Sequence, residues 1–292
     1  MKIEQKIGVV GNGFVGGAVK FGFSPTVGCD AEVRVYDKNP NKSTHTLEDT
    51  VNESDFIFLS VPTPANKDGS INTDILSSAI KDIDDVSTRD NYIIIRSTVT
   101  PGTTRRLQQE YHQLNLLFNP EFLTERSANF DFINQSRFIV GSGDSMSSAS
   151  GAESFEQLLK ARFGECIAFM HCTYETAEMI KYMSNCFFAT KVSFMNEMYQ
   201  IAEKSNVNWQ QAIDGLVADG RVGHSHMNGP GHEGKFGFGG SCFPKDIQAL
   251  INFGESSGVD MKVLRGAWEK NLEVRPEQDW KELKGRAVTD DK

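Results

Sequence analysis

The sequence predicts an α/β fold in which a doubly wound parallel sheet is followed by an all-helical domain. Three features predict it. Through the first half, short runs rich in Val, Ile and Phe alternate with helix-patterned segments. Several of these runs are continuously apolar, as strands covered on both faces require. From Tyr174 to Ser205 the chain then has no Gly or Pro, and every later apolar pattern is helical.

The strands are expected at 6–10, 32–37, 55–61, 92–99, 116–119 and 137–141, with helices at 14–21, 73–84, 104–113 and 154–163. Strand–helix–strand repetition of this kind winds into a parallel sheet with right-handed crossovers. The polar stretch 142–151 is expected as a linker. Beyond it, Ala177, Ile180, Met183, Phe187, Phe188, Val192 and Met195 recur at helical spacing and predict one long helix over 174–205. Helical patterns resume at 209–218, 246–253 and 261–272, around a Gly-rich loop at 220–240. The expected division is residues 1–170 for the sheet domain and 171–292 for the helical one.

The 292 residues are 39% hydrophobic and 24% charged, enough to build a core without metal or disulfide staples. A net charge of −9 argues against a nucleic-acid polymer or an anionic membrane as partner. No apolar run exceeds strand length, so no membrane span is expected, and the first ten residues carry no apolar signal core. Cys29, Cys166, Cys172, Cys186 and Cys242 are odd in number and form no C-x-x-C pair. That pattern fits a reducing cytoplasm better than a disulfide framework or a structural zinc site. His224, His226 and His232 crowd one loop, but no carboxylate or thiol joins them at ligand spacing, so no metal is expected.

The chemistry begins at Gly11-Asn12-Gly13-Phe14-Val15-Gly16, between the first strand and the first helix. Glycines there permit a tight turn and close backbone approach, and the helix start offers amides to a pyrophosphate. The second strand ends at Asp37, where a carboxylate would accept hydrogen bonds from a ribose 2′-OH and repel a 2′-phosphate. NAD is therefore the expected cofactor, although Lys38 and Lys42 lie close by. Ser60-Val61-Pro62-Thr63-Pro64 and Arg96-Ser97-Thr98-Val99 each end a strand at the sheet's carboxyl edge, where such folds bind ligands. Taken singly, Thr63 and Thr98 read as turn or cap residues ahead of ligand contacts.

Glu121 and Glu125 are four apart in Asn119-Pro120-Glu121-Phe122-Leu123-Thr124-Glu125. On a helix they would share a face, and one could gain a raised pKa suited to a general base. Alternatively they are first-turn acids that complement a helix dipole. Lys181 and Asn185 are four apart on the long helix. Either the lysine snorkels outward, or both side chains line a cleft as donors to a developing oxyanion. The most informative stretch is Gly237-Phe238-Gly239-Gly240-Ser241-Cys242-Phe243-Pro244-Lys245-Asp246, a cysteine between a flexible loop and a helix with Pro244 at its first position. A helix start and a neighbouring Lys245 raise the thiolate fraction, and Asp246 is placed to hold Lys245 or a water. This is not core composition, and Cys242 is the candidate nucleophile; the other four thiols are read as structural.

Taken together, GNGFVG, VYD, LSVPTP, RSTVTPGTT, NPEFLTERSANFDF, the Lys181/Asn185 helix, Gly220-Arg221-Val222-Gly223 and GFGGSCFPKD resemble the nucleotide-sugar 6-dehydrogenases, a family that includes UDP-glucose and GDP-mannose dehydrogenases. The resemblance runs in family order from residue 7 to about 250 and implies a Rossmann-type first domain. It also implies four-electron oxidation of a sugar C6 hydroxyl, best guessed as UDP-glucose to UDP-glucuronate, through a thiohemiacetal and a thioester on Cys242. Lys181 and Asn185 would stabilise the oxyanion, and Thr98, Glu121, Glu125 and Asp246 would place water and base. NAD would be held by residues 11–16, Asp37, Lys42, Val61, Pro62, Thr63, Ser97, Thr98, Glu125 and Lys245. Glu121, Phe122, Leu123, Lys181, Asn185, Arg221, Phe238, Gly239 and Gly240 would meet the substrate. Arg221 matches an arginine that reaches across a subunit boundary, which implies a homodimer built on the long helix.

Two departures stand out. Few residues follow Cys242, so the nucleotide-gripping third domain usual in the family is expected to be absent. The loop 224–235 is also longer and richer in Gly and His than the family pattern. Two rival readings remain. One is a two-electron dehydrogenase of the hydroxyacid or 6-phosphogluconate type. The other is a truncated binding subunit without activity of its own.

Overall fold

The computed structural model describes residues 2–290. Strands β1 (Ile7–Val10), β2 (Val33–Tyr36), β3 (Phe56–Leu59), β4 (Tyr92–Ile95), β5 (Asn115–Phe118), β6 (Arg137–Ser142) and β7 (Ala168–Thr173) form one sheet, ordered β2-β1-β3-β4-β5-β6-β7. Helices α1 (Phe14–Gly22), α2 (Leu47–Asn52), α3 (Asp74–Val86), α4 (Thr103–Glu110), α5 (Ala128–Ile133) and α6 (Met146–Phe163) alternate with the strands. The chain continues as α7 (Tyr174–Lys204), α8 (Trp209–Val217), α9 (Phe243–Ser256) and α10 (Lys262–Val274). No helix among the described residues is long and apolar enough to cross a membrane.

Two compact units result. The first comprises the chain up to Thr63 together with Thr73–Lys181, and the second Pro64–Asn72 and the chain from Tyr182 onward. The division thus falls inside α7 rather than near residue 170. The short excursion 64–72 joins the second unit through Ala65, whose N–H donates to Ala287 O at 3.0 Å and whose carbonyl accepts from Thr289 N at 3.0 Å.

In the first unit, successive side chains of each strand serve opposite faces, as a period of two requires. Val9, Phe58, Ile94 and Leu117 pack into one apolar cluster with Val19 and Phe155. Val10, Ile57, Leu59, Ile93, Ile95 and Phe118 pack into the other with Leu76 and Ile80. Both faces are therefore covered, which is why β1 and β3 read as unbroken apolar runs. Phe58 is fully buried, with Phe23 and Phe155 at 5.9 and 5.6 Å. Truncating such a ring costs about 3–5 kcal/mol.

The sheet is mostly, not wholly, parallel. β6 meets β5 antiparallel at the single pairing Phe118↔Gly141, then pairs parallel with β7. β7 itself was not expected. Its sequence, Ala-Phe-Met-His-Cys-Thr, lies on the sheet edge with mostly exposed side chains and so carries no apolar signature. α6 starts at Met146, inside the expected linker, because the Ser145 hydroxyl accepts from Ser148 N at 3.1 Å and caps it. Gly151 then packs against the ring of Tyr92, where a Cβ would overlap. α2 was also missed; it is only six residues long and is capped by Thr46, whose hydroxyl accepts from Asp49 N at 3.0 Å. Residues 119–124 form no helix, contrary to the shared-face possibility for Glu121 and Glu125.

In the second unit, Met195, Ile213, Val217 and Met227 make a small core. Ser193 Oγ on α7 donates to Ala267 O on α10 at 2.6 Å. Trp268 packs on Trp280 at 5.4 Å and on Phe238 at 6.1 Å. α9 opens one residue earlier than expected, so Pro244 is its second residue.

Candidate active site

The strand order reverses between β1 and β3, and the loops leaving the carboxyl ends of β1, β3, β4 and β5 carry most of the residues singled out from sequence. After β1, Gly11 turns with φ 90°, and a side chain there would overlap the Ser60 carbonyl. A Cβ on Gly16 would overlap Gly11 O, so that glycine lets α1 approach the strand. Gly13 differs from both: no atom lies within 4 Å of where its Cβ would be. Gly13 caps α1 without a side chain, leaving an open cradle at a helix start. Asp37 Oδ2 accepts from Asn12 N at 2.7 Å and Oδ1 from Asn39 N at 2.8 Å, while Asn12 Nδ2 donates to Lys42 O at 2.8 Å. The contact of Lys42 with this loop is thus through its carbonyl. A carboxylate has about four acceptor positions, so Asp37 retains capacity for ribose hydroxyls. Phe14 and Val15 form the first turn of α1. The cradle and the acid fit a dinucleotide such as NAD.

Two hydroxyls stitch the next two loops together. Ser97 Oγ accepts from Val61 N at 3.0 Å and donates to Val61 O at 2.7 Å, and Thr63 Oγ1 donates to Thr98 O at 2.8 Å. Pro62 lies between the stitched residues, and Thr63, Ser97 and Thr98 are all buried.

After β5, Glu121 is 4% exposed and Lys181 3%. Lys181 Nζ donates to Glu121 O at 2.6 Å and to Glu121 Oε1 at 2.8 Å, and Glu121 Oε2 accepts from Leu123 N at 2.8 Å. Lys181 therefore does not snorkel outward. Burial works to raise the Glu121 carboxyl, but the Lys181 ammonium and its hydrogen bond, the Leu123 amide and the Arg96 charge together hold it below the usual carboxylate range. Phe122 lies under two cations, Arg137 at 4.6 Å and Lys181 at 5.7 Å. Glu125 is exposed in a single 3₁₀ turn at Glu125–Ser127, in an environment unlike that of Glu121.

Two buried charges here were not singled out from sequence. Arg96 donates through Nη1 to Asn119 Oδ1, while its Nε and Nη2 find no partner among the described residues. Burial pushes its guanidinium down to about 10, against the pull of Glu121, so it stays charged at neutral pH. Glu178, one turn before Lys181 on α7, accepts from Gly102 N at 2.6 Å and Thr104 N at 2.8 Å and caps α4. Burial pushes its carboxyl up to about 7 despite those donors.

In the second unit, Cys242 is the N-cap of α9, and its carbonyl accepts from Asp246 N at 2.9 Å. Ser241 Oγ lies 3.7 Å from its sulfur. Asp246 is completely buried and holds two donors, Asn185 Nδ2 on Oδ2 at 2.5 Å and Lys245 Nζ on Oδ1. Asn185 and Lys245 are thus anchored through one carboxylate in the first turn of α9. The remaining thiols differ. Burial pushes those of Cys29, Cys172 and Cys186 up, the last with help from Asp246, and Cys166 is on the surface. Arg221 extends into solvent beside Asp219 Oδ2 at 2.5 Å. His226 stacks on Phe188 at 4.3 Å, while His224 and His232 are exposed. Among the described residues no three His, Cys, Asp or Glu side chains come together.

Sequence comparison supplies the context. The NAD binding domain of the UDP-glucose/GDP-mannose dehydrogenase family matches residues 31–159, and its central domain matches residues 175–273. The UDP-glucose 6-dehydrogenase of Rickettsia prowazekii is 35% identical over 240 residues, covering 80% of this chain and 53% of the relative. The chain thus spans about half the length of the curated relatives it matches. Among solved structures, a UDP-glucose dehydrogenase from Pyrobaculum islandicum superposes with TM-score 0.78 at 28% identity, covering 92% of this chain and 68% of that one. A Mycobacterium tuberculosis 3-hydroxyisobutyrate dehydrogenase shares the fold alone, with TM-score 0.74 at 16% identity over 94% and 95% of the two chains. With both domain matches in register and an NAD-binding sheet edge to accompany them, the chain belongs to the UDP-glucose/GDP-mannose dehydrogenase family.

Proposed function

We propose that the chain oxidises the C6 hydroxyl of a nucleotide sugar to a carboxylate in two NAD-dependent steps, with UDP-glucose the first substrate to try. The observation that carries this is Cys242 at the head of α9, with Lys245 and Asp246 in that helix's first turn and Asn185 bonded to Asp246. Two-electron alcohol dehydrogenation needs no such cysteine.

Bound NAD supplies an electrophilic ring that accepts a hydride, once for each of the two oxidations. Gly11 to Gly16 and Asp37 would hold its pyrophosphate and ribose, and Val61 to Thr63, with Ser97 and Thr98, would line the neighbouring edge. In the first oxidation the hydroxyl proton passes to a base as C6 loses hydride and becomes an aldehyde. The Cys242 thiolate then adds to the aldehyde carbon, and the new oxyanion takes a proton to give a thiohemiacetal. Loss of a second hydride, with the thiohemiacetal hydroxyl proton passing to a base, leaves a thioester. Water attacks it, the C–S bond breaks, and the thiolate is restored beside a carboxylate. Lys181 and Asn185 are the donors suited to the oxyanion. The low carboxyl pKa of Glu121 keeps it ionised at neutral pH and able to accept a proton from the attacking water, directly or through Thr98. Asp246 anchors Asn185 and Lys245.

We also infer a homodimer. In the second unit α7 exposes Met183, Phe187, Phe194 and Ile201 at helical spacing, an apolar stripe that a second copy would cover. The reading further places the protein in a reducing compartment, the cytoplasm.

The test is cofactor stoichiometry. Two NADH are expected per UDP-glucose consumed, and Cys242→Ala should abolish the uronate product. One NADH per substrate, unchanged in Cys242→Ala, would instead mean a two-electron dehydrogenase. Tight NAD binding with no turnover on UDP-glucose or GDP-mannose, titrated by calorimetry, would mean a subunit that needs a partner.

A further inference from the structure

The loop before Cys242 is gripped from behind by α10, an element that neither the motifs nor the proposed chemistry uses. Asn271 is fully buried and grips Phe238 twice: its Oδ1 accepts from Phe238 N at 2.7 Å and its Nδ2 donates to Phe238 O at 3.1 Å. A side-chain amide that satisfies both backbone groups of one residue replaces the strand neighbour this loop lacks. Asn196 on α7 adds an acceptor for Gly237 N at 3.3 Å. One turn beyond Asn271, Arg275 is 1% exposed and lies directly beneath Gly239, where a Cβ would meet Nη2 at 2.5 Å. Its guanidinium is fixed there by Asp279, at 2.9 Å from Nε and 2.7 Å from Nη2, and by Glu233 at 2.6 Å from Nη1.

This explains the glycines on either side of Phe238. Gly237 has φ 69°, and a Cβ on it would overlap Asn271 Oδ1. Gly239 needs no positive φ; it is small because Arg275 fills the space behind it. The Gly-Phe-Gly-Gly pattern is thus the imprint of two polar side chains, Asn271 on α10 and Arg275 at its C-cap, as well as a source of flexibility.

We propose that Asn271 and Arg275 are positioning residues that set the backbone of Gly237–Gly240 and, through it, the placement of Cys242 at the head of α9. The inference deepens the proposed function and rests on it for its consequence in catalysis, though not for the effect on the cysteine. Neither side chain touches the reacting atoms. Each acts through the three residues between Phe238 and Cys242, where a displacement of about 1 Å is enough to cost roughly 100-fold in rate.

The experiment measures alkylation of Cys242 by iodoacetamide in the full chain, followed by mass spectrometry of the peptide that carries it. Asn271→Asp keeps the acceptor for Phe238 N but turns an oxygen toward Phe238 O. It should change the Cys242 alkylation rate by about 3-fold or more, and lower kcat far more than it raises KM. Gly239→Ala should change the alkylation rate in the same direction by pressing on Arg275, and the double variant Gly239→Ala/Arg275→Lys should restore it, because the shorter ammonium makes room. Gly239→Ala keeps an ordinary backbone conformation, so it serves if Asn271→Asp does not fold. The exposed α10 substitution Val263→Ala should leave both readouts unchanged. Alkylation rates equal to the parent chain in folded Asn271→Asp and Gly239→Ala would overturn the proposal. If the parent chain oxidised no sugar at all, the proposed function would fail while the alkylation result would still decide this inference.

Discussion

Replacing Lys181 by methionine tests the buried pair at the end of β5. The two side chains are 3% and 5% exposed and lie 2.8 Å apart, so neither charge has water to fall back on. Methionine keeps most of the volume and removes the ammonium. Glu121 is then left with the Leu123 amide and the more distant charge of Arg96. Breaking one side of a buried pair costs about 3–5 kcal/mol. The loss should also depend on pH. In the parent chain the Glu121 carboxyl lies below its ordinary value, so its contribution is present above the unfolded pKa and lost as pH falls through the folded one. In Lys181→Met burial is largely unopposed and the folded pKa rises, so the Glu121 contribution is lost as pH rises instead. The gap between the two proteins should therefore widen from about pH 4 to pH 8, reaching roughly 3–5 kcal/mol at the upper end. Urea unfolding followed by far-UV circular dichroism is the assay. Tryptophan emission is the less direct probe, because Trp209, Trp268 and Trp280 all belong to the second unit. A gap below about 1 kcal/mol at pH 8, or one that does not change with pH, would show that the pair is not the buried contact described.

Two further outcomes follow from α7. Burial raises the folded pKa of Glu178 from 4.5 to about 7, so its contribution is present at low pH and lost as pH climbs through that window. Glu178→Gln should flatten the stability profile between pH 5 and 8 by about 3 kcal/mol, and parallel profiles for the two proteins would refute the assignment. The parent chain should sediment as a dimer and Phe187→Glu, in the exposed stripe, as a monomer; an unchanged mass would remove the stripe from the interface.

Much of the first unit was legible because its strands are apolar throughout and its turns carry glycine where chain geometry demands it. Phe56–Leu59 could only be a strand covered on both sides, and Gly11 and Gly16 announce a close approach of α1. β7 was not legible, since an exposed edge strand with His171 and Thr173 in it obeys no burial pattern. The direction of β6 was not either, because parallel and antiparallel pairing bury the same residues. At the site, residue types were readable but partners were not. Lys181 and Asn185 look alike in sequence, four apart on one helix, yet one is held by Glu121 and the other by Asp246, residues 60 and 61 positions away. Glu121 and Glu125 look like a pair and are not one: residues 119–124 form no helix, and the Glu121 carboxylate turns back to accept from the Leu123 amide. Asn271 left no trace at all, being one polar residue in an amphipathic helix.

Asp37 spends one oxygen on the amide of Asn12. The atoms that would select the cofactor therefore also hold the turn that receives its phosphates. An engineer who replaced Asp37 to admit a 2′-phosphorylated dinucleotide would slacken that turn in the same step, and affinity for both cofactors would fall before any preference reversed. A useful exchange has to begin elsewhere, by giving Asn12 a different acceptor, and only then free position 37 to change its taste.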